Sequence, residues 1–353
     1  MCYHGRRNFQ GATMATTSLP GISESSLDPF QERVGERDVV LASLMGGDFR
    51  FESDSPELLQ LVRMAYAGLP AHRLPVSAPE FHIELRLVPG RSMTTTGEPP
   101  AVRAQSGAGL LCGVMDERNY VVMSPEQGRA LVVVSRDMLA FPYHLRYELI
   151  EFAVFTMATC RLGLVPLHGA CVGRHGRGLV LLGASGSGKS TLALHSLLHG
   201  LDFLAEDAVF VEPQSMLATG VANFLHVKDD ALGFVSGDSA RSWIRDAPVI
   251  RRRSGVVKHE ADLRRAPISM SSGPLELVGA VFVSARKADD PQHLLQALPL
   301  ETVAGRLIND QPYASGQPGW STFQQTITRL GVHELRRGVH PQASVDALLT
   351  LLA

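Results

Sequence analysis

Read as apolar and polar positions, the chain alternates between strand-like runs and helix-like stripes. Val39-Val40-Leu41-Ala42 and Phe49-Arg50-Phe51 predict two strands. Ser55-Pro56-Glu57 predicts a helix start, with a capping hydroxyl and proline in the first turn. Leu58, Leu59, Leu61, Val62 and Tyr66 then recur at helical spacing up to a stop at Gly68-Leu69-Pro70. Phe81-His82-Ile83-Glu84-Leu85-Arg86-Leu87 alternates strictly, which predicts a strand with one wet face. Residues 89–106, rich in Gly, Pro, Thr and Ser, predict a mobile loop. Tyr120-Val121-Val122-Met123 and Ala130-Leu131-Val132-Val133-Val134 predict a strand pair around the turn Pro125-Glu126-Gln127-Gly128. Residues 34–142 carry no catalytic grouping and read as a structural or partner-recognising α+β module.

From residue 143 the runs lengthen. Leu145, Leu149, Phe152, Ala153, Thr156, Met157 and Cys160 mark a helix over 143–162, and Arg146, Glu148 and Glu151 make it a core helix rather than a membrane span. Val165-Pro166-Leu167-His168-Gly169-Ala170-Cys171-Val172 predicts a strand, and Arg174-His175-Gly176-Arg177-Gly178 a polar turn into the buried strand Leu179-Val180-Leu181-Leu182. A helix follows from Leu192 to the stop at Gly200. Phe203-Leu204-Ala205-Glu206-Asp207-Ala208-Val209-Phe210-Val211 is a strand interrupted by two acids. Further on, 275–283 predicts a buried strand, 301–308 a helix, 310–323 a loop near the site or a partner surface, and 344–352 an apolar-faced closing helix. The predicted organisation is a disordered leader over 1–30 (Met14 being an alternative start), an α+β region over 31–142, and an α/β domain over 143–353.

Composition narrows the class. With 353 residues and 45% hydrophobic content the chain can build real cores. A net charge of −2 gives no global pull toward nucleic acid or an anionic membrane. Cys2, Cys112, Cys160 and Cys171 show no C-x-x-C spacing, which fits a reduced cytoplasmic protein better than a disulfide framework. The first residues lack the apolar centre of a signal peptide.

The decisive chemistry lies between the strand at 179–182 and the helix after it. Gly183-Ala184-Ser185-Gly186-Ser187-Gly188-Lys189-Ser190-Thr191 matches G-x-x-x-x-G-K-[ST]. Such a loop turns backbone N–H groups toward phosphates, and the helix N-terminus adds positive potential. Lys189 would reach the β- and γ-phosphates of a triphosphate, and the Ser190 hydroxyl would hold Mg²⁺. Carboxylates inside an apolar strand are costly without a cation or donor, and Mg²⁺ beside a triphosphate would supply one for Glu206 and Asp207; the alternative is an acid pair at a solvated strand end. His168 alone reads as a satisfied core histidine. Arg245, Arg251-Arg252-Arg253, Lys258 and His259 form a dense basic run, either a solvated loop or a set reaching toward the triphosphate or an acidic partner.

Taken in order, Leu167-His168-Gly169, the 183–191 loop and Ala205-Glu206-Asp207-Ala208-Val209 resemble the HPr kinase/phosphorylases and the wider HPr-kinase-like proteins, whose phosphate-loop core is shared with the phosphoenolpyruvate carboxykinases. The resemblance spans 143–213 well and the remainder loosely. It implies an α/β kinase domain preceded by a smaller α+β region, with ATP and Mg²⁺ used to phosphorylate a serine hydroxyl of a peptide or small protein. By position it implies Asp207 and Glu206 as the acid pair that binds metal and removes the hydroxyl proton, with His168 near the transferring phosphate. Glu206 replaces an aspartate of the family's pair. The stretch 224–233 departs from the glycine-rich downstream signature of true HPr kinases, so neither HPr as substrate nor phosphorylase activity is implied. The sequence leaves open which acid is base and which is ligand, and whether the chain forms a homo-oligomer. A non-catalytic nucleotide switch and a kinase of a small-molecule acceptor are the competing expectations.

Overall fold

Two sheets meet along a shared helix. The computed structural model describes residues 37–90, 97–266 and 270–353; the leader predicted over 1–30 lies outside them. The first sheet uses β1 (Asp38–Leu44), β2 (Gly47–Ser53), β3 (Glu80–Val88), β4 (Arg103–Gly107), β5 (Leu110–Val114), β6 (Tyr120–Ser124) and β7 (Arg129–Ser135), in the order β1-β2-β3-β7-β6-β5-β4. β3 pairs in parallel with both β2 and β7, and the remaining pairs are antiparallel. The helix Pro56–Tyr66 forms as its sequence predicts. The Ser55 hydroxyl accepts from the Leu58 N–H, and Leu58, Leu59, Leu61, Val62, Ala65 and Tyr66 are buried on one face. Part of the loop expected over 89–106 is instead the exposed edge strand β4, while residues 91–96 lie outside the described set.

The helix expected over 143–162 runs as Pro142–Leu145, a π-turn at Arg146–Ile150, and Glu151–Leu162, ended by Gly163 in the left-handed conformation. Leu145, Leu149, Ile150, Ala153, Val154, Met157 and Ala158 join the core beneath the first sheet. Cys160, expected on the apolar face, is exposed.

The strand predicted over 165–172 is broken by Gly169 into β8 (Val165–His168) and β9 (Ala170–Arg174), which take separate places in the second sheet. β10 (Arg177–Leu182) leads into the 183–188 loop and the helix Lys189–Leu198. The acid pair divides β11 (Asp202–Ala205) from β12 (Ala208–Glu212), and β13 (Leu217–Thr219) follows. A three-stranded sheet of β14 (Phe224–Val227), β15 (Val249–Arg251) and β16 (Val257–Asp262) has the order β14-β16-β15. The chain then rejoins the second sheet with β17 (Leu275–Lys287), β18 (Leu295–Ala297) and β19 (Val332–Arg337). β17 is parallel to β10 and β19 and antiparallel to β13. The expected loop over 310–323 gives way at Trp320 to the helix Trp320–Leu330, whose Trp320, Phe323 and Ile327 fill one face of this sheet. The helices Lys189–Leu198 and Pro341–Leu352 cover the other face. Among the described residues no helix is long and apolar enough to cross a membrane.

Candidate active site

The loop after β10 is fixed at both ends. Gly183 has φ +126, and a Cβ there would stand 2.6 Å from the Val283 carbonyl oxygen of β17, so a side chain is excluded by conformation and by contact. The Gly183 N–H donates to Asp310 Oδ2 at 3.3 Å. At the other end the Leu192 N–H donates to the Gly188 carbonyl at 2.8 Å and starts the helix. Lys189 is buried and its ammonium donates to the Gly183 carbonyl and, at 3.2 Å, to the Ala184 carbonyl. Burial pulls its pKa below the ordinary lysine value, opposed first by Asp310 and then by Asp207.

The two acids face different surroundings. The Asp207 side chain is 44% exposed and opens on the cleft, whereas that of Glu206 is 3% exposed. Asp207 Oδ2 accepts from Arg252 Nη2 at 2.8 Å, and its Oδ1 lies 3.9 Å from His168 Nδ1. Glu206 Oε2 accepts from the His226 backbone N–H at 2.8 Å and faces His226 Nδ1 at 3.2 Å, with Lys258 Nζ 3.6 Å from its Oε1. Burial alone would raise the Glu206 pKa. The His226 hydrogen bond and charge, Lys258 and the Ser190 hydroxyl more than reverse this and hold it well below the carboxylate range.

His226 belongs to a buried chain of charges. Its Nε2 stands 3.3 Å from Glu260 Oε1 and 3.0 Å from the Tyr147 hydroxyl, and Glu260 accepts from Arg146 on the π-turn. The antiparallel register that places His226 opposite Glu260 makes this meeting possible. Burial lowers the His226 pKa, but the two carboxylates outweigh it and raise it above the ordinary histidine value. An imidazolium can donate from both ring nitrogens, which suits a position between two carboxylates.

His168 is exposed at the end of β8 and is not a core histidine. Gln311 holds its backbone: the His168 N–H donates to Gln311 Oε1 at 2.7 Å, and Gln311 Nε2 donates to the His168 carbonyl at 3.0 Å. The basic run also has definite partners. Arg252 meets Asp207, and Arg253 forks onto Glu148 at 2.6 and 2.5 Å while reaching the Pro99 and Pro100 carbonyls.

One cleft of about 470 Å³ is lined by His168, the loop from Ser185 to Leu192, Asp207, His226, Arg252 and Lys258. Thus the sequence-predicted His168, Lys189, Ser190, Thr191 and Asp207 converge on it, and Glu206 lies directly behind. Gly183 and Ala184 form the base of the loop and hold the lysine. The sequence reasoning missed His226, Glu260 and Arg146, and it placed Asp310 and Gln311 only within a loop near the site or a partner surface, without individual roles. For Glu260 a local signal existed, since Lys258 and Glu260 alternate on one face of β16.

No protein-family model matches this chain, and no curated protein does. Its fold is mixed α/β, and it has a distant structural neighbour. That neighbour is the Hpr(Ser) kinase/phosphatase from Coxiella burnetii, 11% identical, with a TM-score of 0.27 over 53% of this chain and 87% of that one.

An oxygen-seeking dication fits the donor set. Ser190 and the two carboxylates supply oxygens, and Glu206 Oε1 is buried with no hydrogen bond, facing the Lys258 ammonium at 3.6 Å. Ser190, Glu206 and Asp207 are the residues that would hold Mg²⁺, and the ion would offset phosphate charge.

Proposed function

We propose that this protein is an ATP- and Mg²⁺-dependent kinase that transfers the γ-phosphate to a serine hydroxyl of a peptide or small protein. The observation that carries the reading is a single cleft in which an accessible carboxylate, Asp207, faces a phosphate-type loop with its lysine. Phosphoryl transfer needs positioning, charge neutralisation and a proton acceptor. The loop N–H groups and Lys189 would position and neutralise the β- and γ-phosphates. Asp207 would take the proton as the hydroxyl oxygen bonds to the γ-phosphorus and the bond to the β,γ-bridging oxygen breaks, releasing ADP. His168, beside Asp207, would face the transferring group. Glu206, held ionised by His226 and Lys258, would keep negative charge at the metal side of the site. The resemblance of 167–169, 183–191 and 205–209 to HPr-kinase-like proteins favours a polypeptide serine over a small-molecule acceptor.

The test is incubation with Mg²⁺, γ-labelled ATP and small proteins or peptides encoded beside the gene. The expected result is stable label on one polypeptide, lost at least about a hundredfold in Asp207→Asn while nucleotide binding persists. Label unchanged in Asp207→Asn would remove that residue from the base role. Binding without transfer to any acceptor would make the protein a nucleotide-dependent switch.

A further inference from the structure

The cleft continues past the phosphate-type loop. Besides Asp207 it is lined by Ala231 and Phe234, which follow β14, by Val339 and His340, which join β19 to the last helix, and by Pro341 at that helix's start. These residues lie along the flank of the helix Lys189–Leu198, away from its charged start. The His340 ring centroid is 5.9 Å from that of His195, six residues beyond Lys189 and so about 9 Å along the helix axis. That is a distance that a ribose and part of the phosphate chain can span. A triphosphate whose γ-phosphate faces Asp207 has to direct its nucleoside away from the acids, and this flank is where the same cleft extends.

The surface there is aromatic and uncovered. The Phe234 and His340 rings meet edge to face at 5.8 Å, His340 is exposed, and Val339 is 83% exposed. Behind His340 stands His195, buried with neither ring nitrogen hydrogen-bonded. Burial lowers its pKa to about 4, so it backs the wall as a neutral ring. Heteroaromatic bases stack on such rings through faces that every base possesses.

We infer that Phe234, His340 and Val339 form the subsite for the nucleobase of the triphosphate. This inference rests on the kinase reading above. The subsite contributes affinity for the base, while the 183–191 loop holds the phosphates.

Titration calorimetry with ATP and with inorganic tripolyphosphate, on the full chain with Mg²⁺, separates the two. Phe234→Leu keeps apolar volume without a ring. His340→Asn keeps a residue able to cap the helix Pro341–Leu352, as the His340 ring does for the Gln342 N–H. Each should weaken ATP by about fivefold or more and leave tripolyphosphate unchanged, whereas Lys189→Ala should weaken both. Unchanged ATP affinity in both ring variants, or equal losses for ATP and tripolyphosphate, overturns the subsite. Wild-type protein that binds neither ligand overturns the kinase reading and the subsite with it.

Discussion

Gly183 shows how much one position can decide. Its φ of +126, and the Val283 oxygen 2.6 Å from where a Cβ would stand, leave no room for alanine without moving the first turn of the loop. Gly183→Ala should therefore lower thermal stability by about 1 kcal/mol or more and weaken triphosphate binding, read by Tm and by calorimetry. A variant that keeps both would mean that the loop relaxes freely against β17. At the same scale the acids separate by surroundings rather than by residue type. Glu206 is enclosed by His226 and Lys258, and Asp207 alone of the two opens on the cleft. The sequence offered two adjacent carboxylates, and only neighbours brought in from β14 and β16 distinguish them.

Among the elements, the helix entered through the π-turn carries the most unusual load. Glu151 in its first turn is buried and accepts from Asn223 Nδ2 at 3.0 Å. Burial raises its pKa from 4.5 to about 7, only partly offset by Arg146 and Asn223. A carboxyl whose folded pKa is raised loses stability with rising pH: between about 4.5 and 7 the unfolded chain releases the proton that the folded chain keeps. Glu151→Gln should flatten this contribution, gaining on wild type by up to on the order of 3 kcal/mol between pH 4 and 8 in denaturant titrations. A difference that does not change with pH would show that Glu151 titrates normally. Legibility also varies by element. The helix at 56–66 and the strand–loop–helix at 179–198 declared themselves through local spacing and caps. The edge strand β4 is exposed at every residue, so it has no alternation to read. The helix Trp320–Leu330 was hidden by the Gly- and Pro-rich residues before it, although Trp320, Phe323 and Ile327 follow a helical period. The buried charges were illegible because Arg146, His226 and Glu260 meet only through long-range pairing.

For the whole molecule, the chain of charges from Arg146 through Glu260 and His226 to Glu206 ties the helix under the first sheet to the acid behind the phosphate-type loop. Arg146 is 1% exposed, and its guanidinium also lies 4.2 Å over the Phe224 ring. Arg146→Met would leave the buried Glu260 with His226 alone as its cationic partner and would take the guanidinium from beside Glu151, at a cost of about 3–5 kcal/mol in equilibrium unfolding. Adding Glu260→Gln should recover part of that loss, and strict additivity of the two changes would deny their coupling. One buried thiol gives the molecule a clock. Cys171 is 0% exposed on β9 beside the loop-bearing β10, and burial raises its pKa far above the ordinary thiol value. Cys160 is exposed, although partial burial raises its thiol pKa as well. A maleimide should therefore mark Cys160 at once and Cys171 only in the instants when the second sheet parts. The slow rate would count those openings, and a nucleotide seated on the loop should lengthen the interval between them.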